Sequence, residues 1–163
     1  MKKKNTLFFF GFGQVAKSFV GKLKTEKNLF PMKTTTREET KNKNFDGIVY
    51  QNFQLDEKKF DSSLIKSLEE SDHILISIPP IDGEDIIFKY FKEIFKNNKF
   101  KWITYLSATS VYGDHGGEWV DEKSKTNPTS INGIERLKAE QSWMKLAQKN
   151  NLPLQIFRLS GIY

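Results

Sequence analysis

The run from Asn5 to Phe10, "NTLFFF", becomes continuously apolar and stops at Gly11, the pattern of a buried strand at the centre of a parallel sheet. From Gln14 the period changes: Val15, Ala16, Phe19, Val20 and Leu23 recur at helical spacing, with lysines on the opposite face. The first unit is therefore strand, tight turn, helix. "FPMKTTT" predicts a second strand from its β-branched residues, and "FDGIVYQNF" a third around residues 47–50. Asp61 is placed to cap a short helix whose buried side is Leu64, Ile65 and Leu68. "HILISIPP" is a further apolar strand, stopped by Pro79 and Pro80. Ile86, Ile87, Tyr90, Phe91, Ile94 and Phe95 then follow helical spacing, and "FKWITYLS" reads as a fifth strand. After a long loop, Ala139, Trp143, Leu146 and Ala147 mark a helix over residues 131–149, and "LPLQIFRLSGIY" is a last strand. Such alternation predicts an α/β fold: a doubly wound parallel sheet of about six strands with helices on both faces. At 163 residues it forms one domain, 1–163, with no repeat or linker inside it.

Composition narrows the chemistry. There are no cysteines, which excludes disulfides and thiolate metal sites. His73 and His115 lie far apart without ligand spacing, so no metal centre is expected. The formal charge of +6 is spread along the chain, bordering apolar runs as solvated faces do, and no basic stripe of the kind nucleic acid requires is present. A mild positive field does favour an anionic nucleotide. The start, "MKKKNTLFFFGFGQVAKSFV", imitates a secretion signal, but its apolar core is broken by Gly11 and Gly13 before it reaches the roughly 7–15 residues required. With no run near the roughly 18 apolar residues that span a membrane, a cytoplasmic protein is expected.

"FFFGFGQVA" sets Gly11, Gly13 and Ala16 in a G-x-G-x-x-A pattern between strand and helix. The first glycine permits the tight turn, the second lets backbone approach a pyrophosphate, and the small third residue lets helix and strand pack closely. The N–H groups and dipole of the helix start, at Gln14 and Val15, then favour phosphate. An NAD-preferring site carries an acid about 20 residues further on. Here Thr36 and Arg37 hold that position, with no acid there, and Arg37 can pair with a 2′-phosphate. This points to NADP, with NAD left open; the alternative is a solvated Arg37 paired with Glu38 or Glu39. Ile78, Pro79 and Pro80, at the end of the apolar strand beside the turn, complete the expected cofactor edge, together with Ser107, Ala108 and Arg136.

"LSATSVYGDHGGEWVDE", Pro128, "RLKAE" and "FRLSGIY", in that order after "GFGQVA", resemble the short-chain dehydrogenase/reductase superfamily. The likeness is to its extended and atypical members, the NAD(P)-dependent epimerase/dehydratase-like or nucleoside-diphosphate-sugar epimerase-like proteins, and it covers nearly the whole chain. The resemblance implies a Rossmann sheet with a dinucleotide across its carboxyl edge, and a sugar-nucleotide or other hydroxyl-bearing small molecule as second ligand. It leaves homo-oligomer formation open. In active members a Ser or Thr stands three residues before the Val of "VYG", and a Tyr-x-x-x-Lys pair opens the next helix; the tyrosine is the acid/base and the lysine lowers its pKa. The matching positions here are Ala108, Asn132 and Arg136.

All three differ from the family pattern. Asn132 has no titratable proton and Ala108 no hydroxyl, while Arg136 keeps the charge that holds a ribose or phosphate. Ser107, Thr109 and Tyr112 are nearby candidates to face the site, although the family's "VYG" tyrosine is mainly structural. Family members also continue past "GIY" into a region that makes most of the substrate pocket, and none of it is expected here, as in a short form, a truncated frame or an excised domain. The expectation is an NAD(P)-binding relative of the epimerases and dehydratases with weak or absent catalysis of its own. The alternatives are a dinucleotide-sensing or partner-binding regulator and an inactive remnant.

Overall fold

A strand that is apolar at every position must be covered on both sides. In the computed structural model, which describes residues 5–97 and 99–161, β1 (Leu7–Phe10) is buried throughout. Its side chains alternate: Leu7 and Phe9 join one core, Phe8 and Phe10 the other. The lysines at 2–4 and the last two residues of "RLSGIY" lie outside the described residues.

The elements that follow are α1 (Gln14–Thr25), β2 (Met32–Thr36), β3 (Lys41–Phe45), β4 (Ile48–Gln54), α2 (Ser63–Glu69), β5 (His73–Ile76), α3 (Ile86–Asn97), β6 (Trp102–Ala108), α4 (Ile131–Asn150) and β7 (Leu154–Leu159). The strands form one sheet in the order β3-β4-β2-β1-β5-β6-β7, parallel except for the antiparallel β3–β4 pair. Without β3 this is the doubly wound order in which the chain reverses direction between β1 and β5, where ligands bind in such folds.

The sheet has seven strands where the sequence predicts about six. The extra strand is β3, "KNKNF", joined to β4 through Asp46 and Gly47, with Phe45 opposite Ile48. Its first four side chains are polar and largely exposed, and Phe45 alone packs on the core, so no apolar period marks it. Two of them are lysines, which suit an edge strand because they discourage pairing with other chains. The helices are unevenly shared. Ala16 and Val20 of α1 cover one face with Phe9, Met32 and Leu75, while Leu64, Phe91, Phe95 and Trp143 from α2, α3 and α4 fill the other.

Local signals explain most boundaries. Asp61 Oδ1 accepts from Ser63 N at 2.9 Å and so caps α2, as expected, although Ser62 is the formal cap residue. Asp85 does the same for α3 through Ile87 N (2.9 Å) and Phe88 N (3.0 Å), and its second oxygen accepts from Trp143 Nε1 at 2.7 Å, tying α3 to α4. At α4 the Ser130 hydroxyl accepts from Gly133 N at 3.1 Å. Gly133 also has to be small: a Cβ there would stand 2.5 Å from Ser110 O, in the turn (Thr109–Val111) that follows β6. Among the described residues no helix is long and apolar enough to cross a membrane.

Candidate functional site

The site grows from the parallel register. Phe9 lies opposite Thr34 and Phe10 opposite Ile76, so the residues just past these pairs come level with the β1 turn. Thr35 Oγ1 accepts from Gly11 N at 3.0 Å, and Ser77 Oγ donates to Phe10 O at 3.0 Å. The turn is thus clamped from both neighbouring strands. Gly11 has φ +88°, and a Cβ on it would lie 2.7 Å from Ser77 Oγ and 3.0 Å from Ile78 Cγ1. Glycine is required there by conformation and by space.

Gly13 is the opposite case. It is the residue before α1, with φ −86°, and a Cβ built on it meets nothing within 4 Å. No side chain caps the helix, and Gly13 O takes its first intrahelical bond from Lys17 N at 3.0 Å. The N–H groups of Gln14, Val15 and Ala16 are therefore those an α-helix leaves without internal partners, next to a Gly13 beside which there is open space. The arrangement is a seat for an anion with no side chain in the way.

Two clefts meet at this turn, and Gly13 and Ser77 line both. One, of about 400 Å³, runs over Gly11, Phe12, Thr36 and Arg37 towards Leu55, Asp56, Glu57, Ile78, Pro79, Ile81 and Ile86. The other, of about 350 Å³, runs over Gln14 and Val15 towards Leu106, Ser107, Ala108, Arg136, Leu159 and Ser160. Every residue of the expected cofactor edge lines one or the other except Pro80. Asn132 also lines neither cleft; it is exposed on the first turn of α4. Thr35, Ser77 and the acids Asp56 and Glu57 belong to the site but were not among the residues expected from the motif. The signal for Thr35 and Ser77 was their place just beyond the paired strand residues; for the acids there was only the end of β4.

The first cleft corrects the picture of Arg37. Its partner is neither Glu38 nor Glu39 but Glu57, at 2.6 Å, while Glu38 pairs with Lys43 at 2.8 Å. The Glu57 carboxyl is held below its usual range by its own backbone N–H and then by Arg37. An acid thus stands beside Arg37 after all, brought in from the loop after β4.

In the second cleft Arg136 Nη1 donates to Leu106 O at 3.0 Å, which fixes the guanidinium against β6. Ser107 is buried, and its hydroxyl has no partner among the described residues. Thr109 and Tyr112, named with Ser107 as candidates, do not join it. They line a larger groove of about 590 Å³ along the β7 edge, with Glu140, Met144, Phe157 and Arg158. There Glu140, fully buried, accepts from Arg158 Nη2 at 2.8 Å and from Nε at 3.1 Å, and the guanidinium lies 4.8 Å over the Tyr112 ring. Glu140 holds Arg158 firmly protonated. Tyr105 points into the core instead, and burial, with the Asp85 charge, pushes its hydroxyl well above the usual range.

No protein-family model and no curated protein matches the chain. Solved structures do. A functionally unknown conserved protein from Silicibacter pomeroyi DSS is 31% identical, covering 98% of this chain and 54% of its own, with a TM-score of 0.76. The UDP-glucuronic acid 4-epimerase from Bacillus cereus, solved with NAD, is 18% identical over 97% of this chain and 57% of its own, with a TM-score of 0.75. The UDP-N-acetylglucosamine 4-epimerase from the same organism is 19% identical over 98% and 61%, with a TM-score of 0.73. The chain spans just over half the length of each of these proteins. In fold it is a Rossmann domain like that of the UDP-sugar 4-epimerases.

Proposed function

We propose that this chain binds a nicotinamide dinucleotide across the β1–β5 crevice and has little or no turnover unaided. The observation that carries the reading is the pair of clefts joined at Gly13, with helix N–H groups next to a space that no side chain fills. The pyrophosphate lies on the first turn of α1. The adenosine half takes the cleft walled by Phe12, Leu55, Ile78 and Ile81, with Arg37 at its ribose end. The nicotinamide half reaches Ser107, Ala108 and Arg136. When bound, the nicotinamide ring supplies a hydride acceptor or donor. A sugar-nucleotide or other hydroxyl-bearing molecule is the partner for which that chemistry is suited, as in the epimerases of like fold.

Arg37 supports NADP over NAD, since its guanidinium offers a paired fork to a 2′-phosphate. Glu57 competes for that fork, so the preference is smaller than a free arginine gives. Weak catalysis is supported by the second cleft: Ala108 has no hydroxyl, Asn132 has no titratable proton, and among the described residues no tyrosine lines the cleft. A dinucleotide-sensing role is the second reading, favoured by the same observation, because a formed cofactor crevice without an acid/base binds without turning over. Calorimetric titration of NADH and NADPH tests the proposal. Saturable one-to-one binding is expected for both, tighter for NADPH, and absence of binding to either refutes it. Turnover of any alcohol or ketone by the unmodified chain refutes the sensing role.

A further inference from the structure

The second cleft holds more positive character than a dinucleotide's neutral nicotinamide end requires. Among the described residues Arg136 has no carboxylate partner and no acid lines the cleft. One of its N–H groups is spent on Leu106 O, which orients the fork and leaves four of the five donors of a guanidinium. Beside it Ser107, only 3% exposed, carries a buried hydroxyl without a partner. A buried polar group in that state is costly, and an acceptor arriving in the cleft that Ser107 lines removes the cost. The first turn of α1, whose Gln14 and Val15 also line the cleft, adds a favourable dipole. Two sources of hydrogen-bond donors, Arg136 and Ser107, therefore line one cleft, with Leu106, Ala108 and Leu159 as its apolar surface.

We propose that this cleft is an oxyanion seat: Arg136 and Ser107 bind the carboxylate or phosphate group of a small organic anion. The arginine fork matches either group through two parallel bonds, which a lysine cannot supply. A volume of about 350 Å³ suits a small molecule and not a polymer. Ser107 and Arg136 are also the residues given to the nicotinamide half, so an anion and a dinucleotide compete for the cleft; neither residue belongs to the Gly11–Val15 turn, so anion binding measured without dinucleotide is read separately.

The test is calorimetry at low ionic strength without dinucleotide, titrating malonate and, separately, inorganic phosphate. Saturable binding of at least one probe is expected, and which of the two binds tells a carboxylate seat from a phosphate seat. Arg136→Met should weaken that binding about tenfold or more, the lower range for a lost charge-assisted bond. Arg136→Gln should do the same while keeping an N–H for Leu106 O; thermal melting identifies which of the two variants retains the wild-type fold, and that one carries the result. Ser107→Ala should weaken binding to a smaller degree. The inference is overturned if the wild type binds neither probe, or if the folded Arg136 variant binds as the wild type does. Failure of NADH and NADPH titrations alongside intact malonate or phosphate binding removes the dinucleotide proposal and leaves the seat standing.

Discussion

The two glycines of the phosphate turn should respond to substitution in opposite ways. At Gly13 a side chain has room and an ordinary φ of −86°, so Gly13→Val costs the fold little. Its methyl groups, however, enter the open space beside the helix start, and a pyrophosphate needs that space. At Gly11 the backbone has φ +88° and a Cβ would press on Ser77 Oγ at 2.7 Å. Forcing an L residue into such a conformation costs about 1–3 kcal/mol. In a domain of this size each kcal/mol lowers the melting temperature by roughly 2–4 °C, so Gly11→Ala should melt roughly 2–12 °C below the wild type. Circular-dichroism melting and NADPH calorimetry on both variants separate the effects. The expected result is Gly13→Val with near wild-type melting and no measurable binding, and Gly11→Ala with lowered melting. Wild-type affinity in Gly13→Val refutes the placement of the pyrophosphate, and a larger melting loss at Gly13 than at Gly11 refutes the account of the turn.

Three further outcomes follow from named contacts. Glu57→Gln frees Arg37 and should raise the NADPH-to-NADH affinity ratio by roughly 2- to 5-fold, the scale of an exposed pair, while Arg37→Ala should erase the ratio; competitive titration of the two cofactors measures both. Glu140→Ala strips the partner from Arg158 at a fully buried position and should destabilise the domain by about 3–5 kcal/mol in urea unfolding, an effect that a loss below 1 kcal/mol contradicts. Burial raises the Asp85 carboxyl against the opposing bonds from Phe88, Trp143 and Ile87. Because its folded value lies above the unfolded one of about 3.9, its contribution is complete below that pH and is lost as pH rises through the folded value. The stability of wild type minus that of Asp85→Asn should therefore fall from about pH 4 upward, and a rise refutes the assignment.

Where apolar periodicity was strong, the chain could be read directly: β1, α1, β5, α3, β6 and α4 lie within a few residues of the segments expected from it. β3 could not, because an exposed edge strand is selected for polarity and in "KNKNF" only Phe45 packs on the core, too little to show a period. Its one clue was the Asp-Gly pair, the short-turn signal of a hairpin, which a reading tuned to βαβ units passes over. In the site, the glycine turn was legible because its residues answer to backbone constraints that sequence displays. The Arg37–Glu57 pair was not, since it joins the ends of β2 and β4 across 20 positions and depends on how two loops meet.

The same distinction bears on whether the loop after β6 carries an acid/base. Catalysis by proton transfer needs a titratable group within hydrogen-bond reach of substrate and a neighbour that tunes it towards working pH. Two tyrosines lie close enough in sequence to be candidates, and the packing removes both. Tyr105 faces the core beneath Trp143 and Asp85, where burial drives its hydroxyl away from neutral pH. Tyr112 is buried under the Arg158 guanidinium, in the groove along β7 and not in the cleft of Ser107 and Arg136. Its neighbour is a cation already neutralised by Glu140, so the arrangement is a packed strut between α4 and β7. What lines the cleft beside Gly13 instead is a guanidinium fixed on Leu106 O and a residue with a buried, unpartnered hydroxyl, Arg136 and Ser107, which suit the holding of an anion.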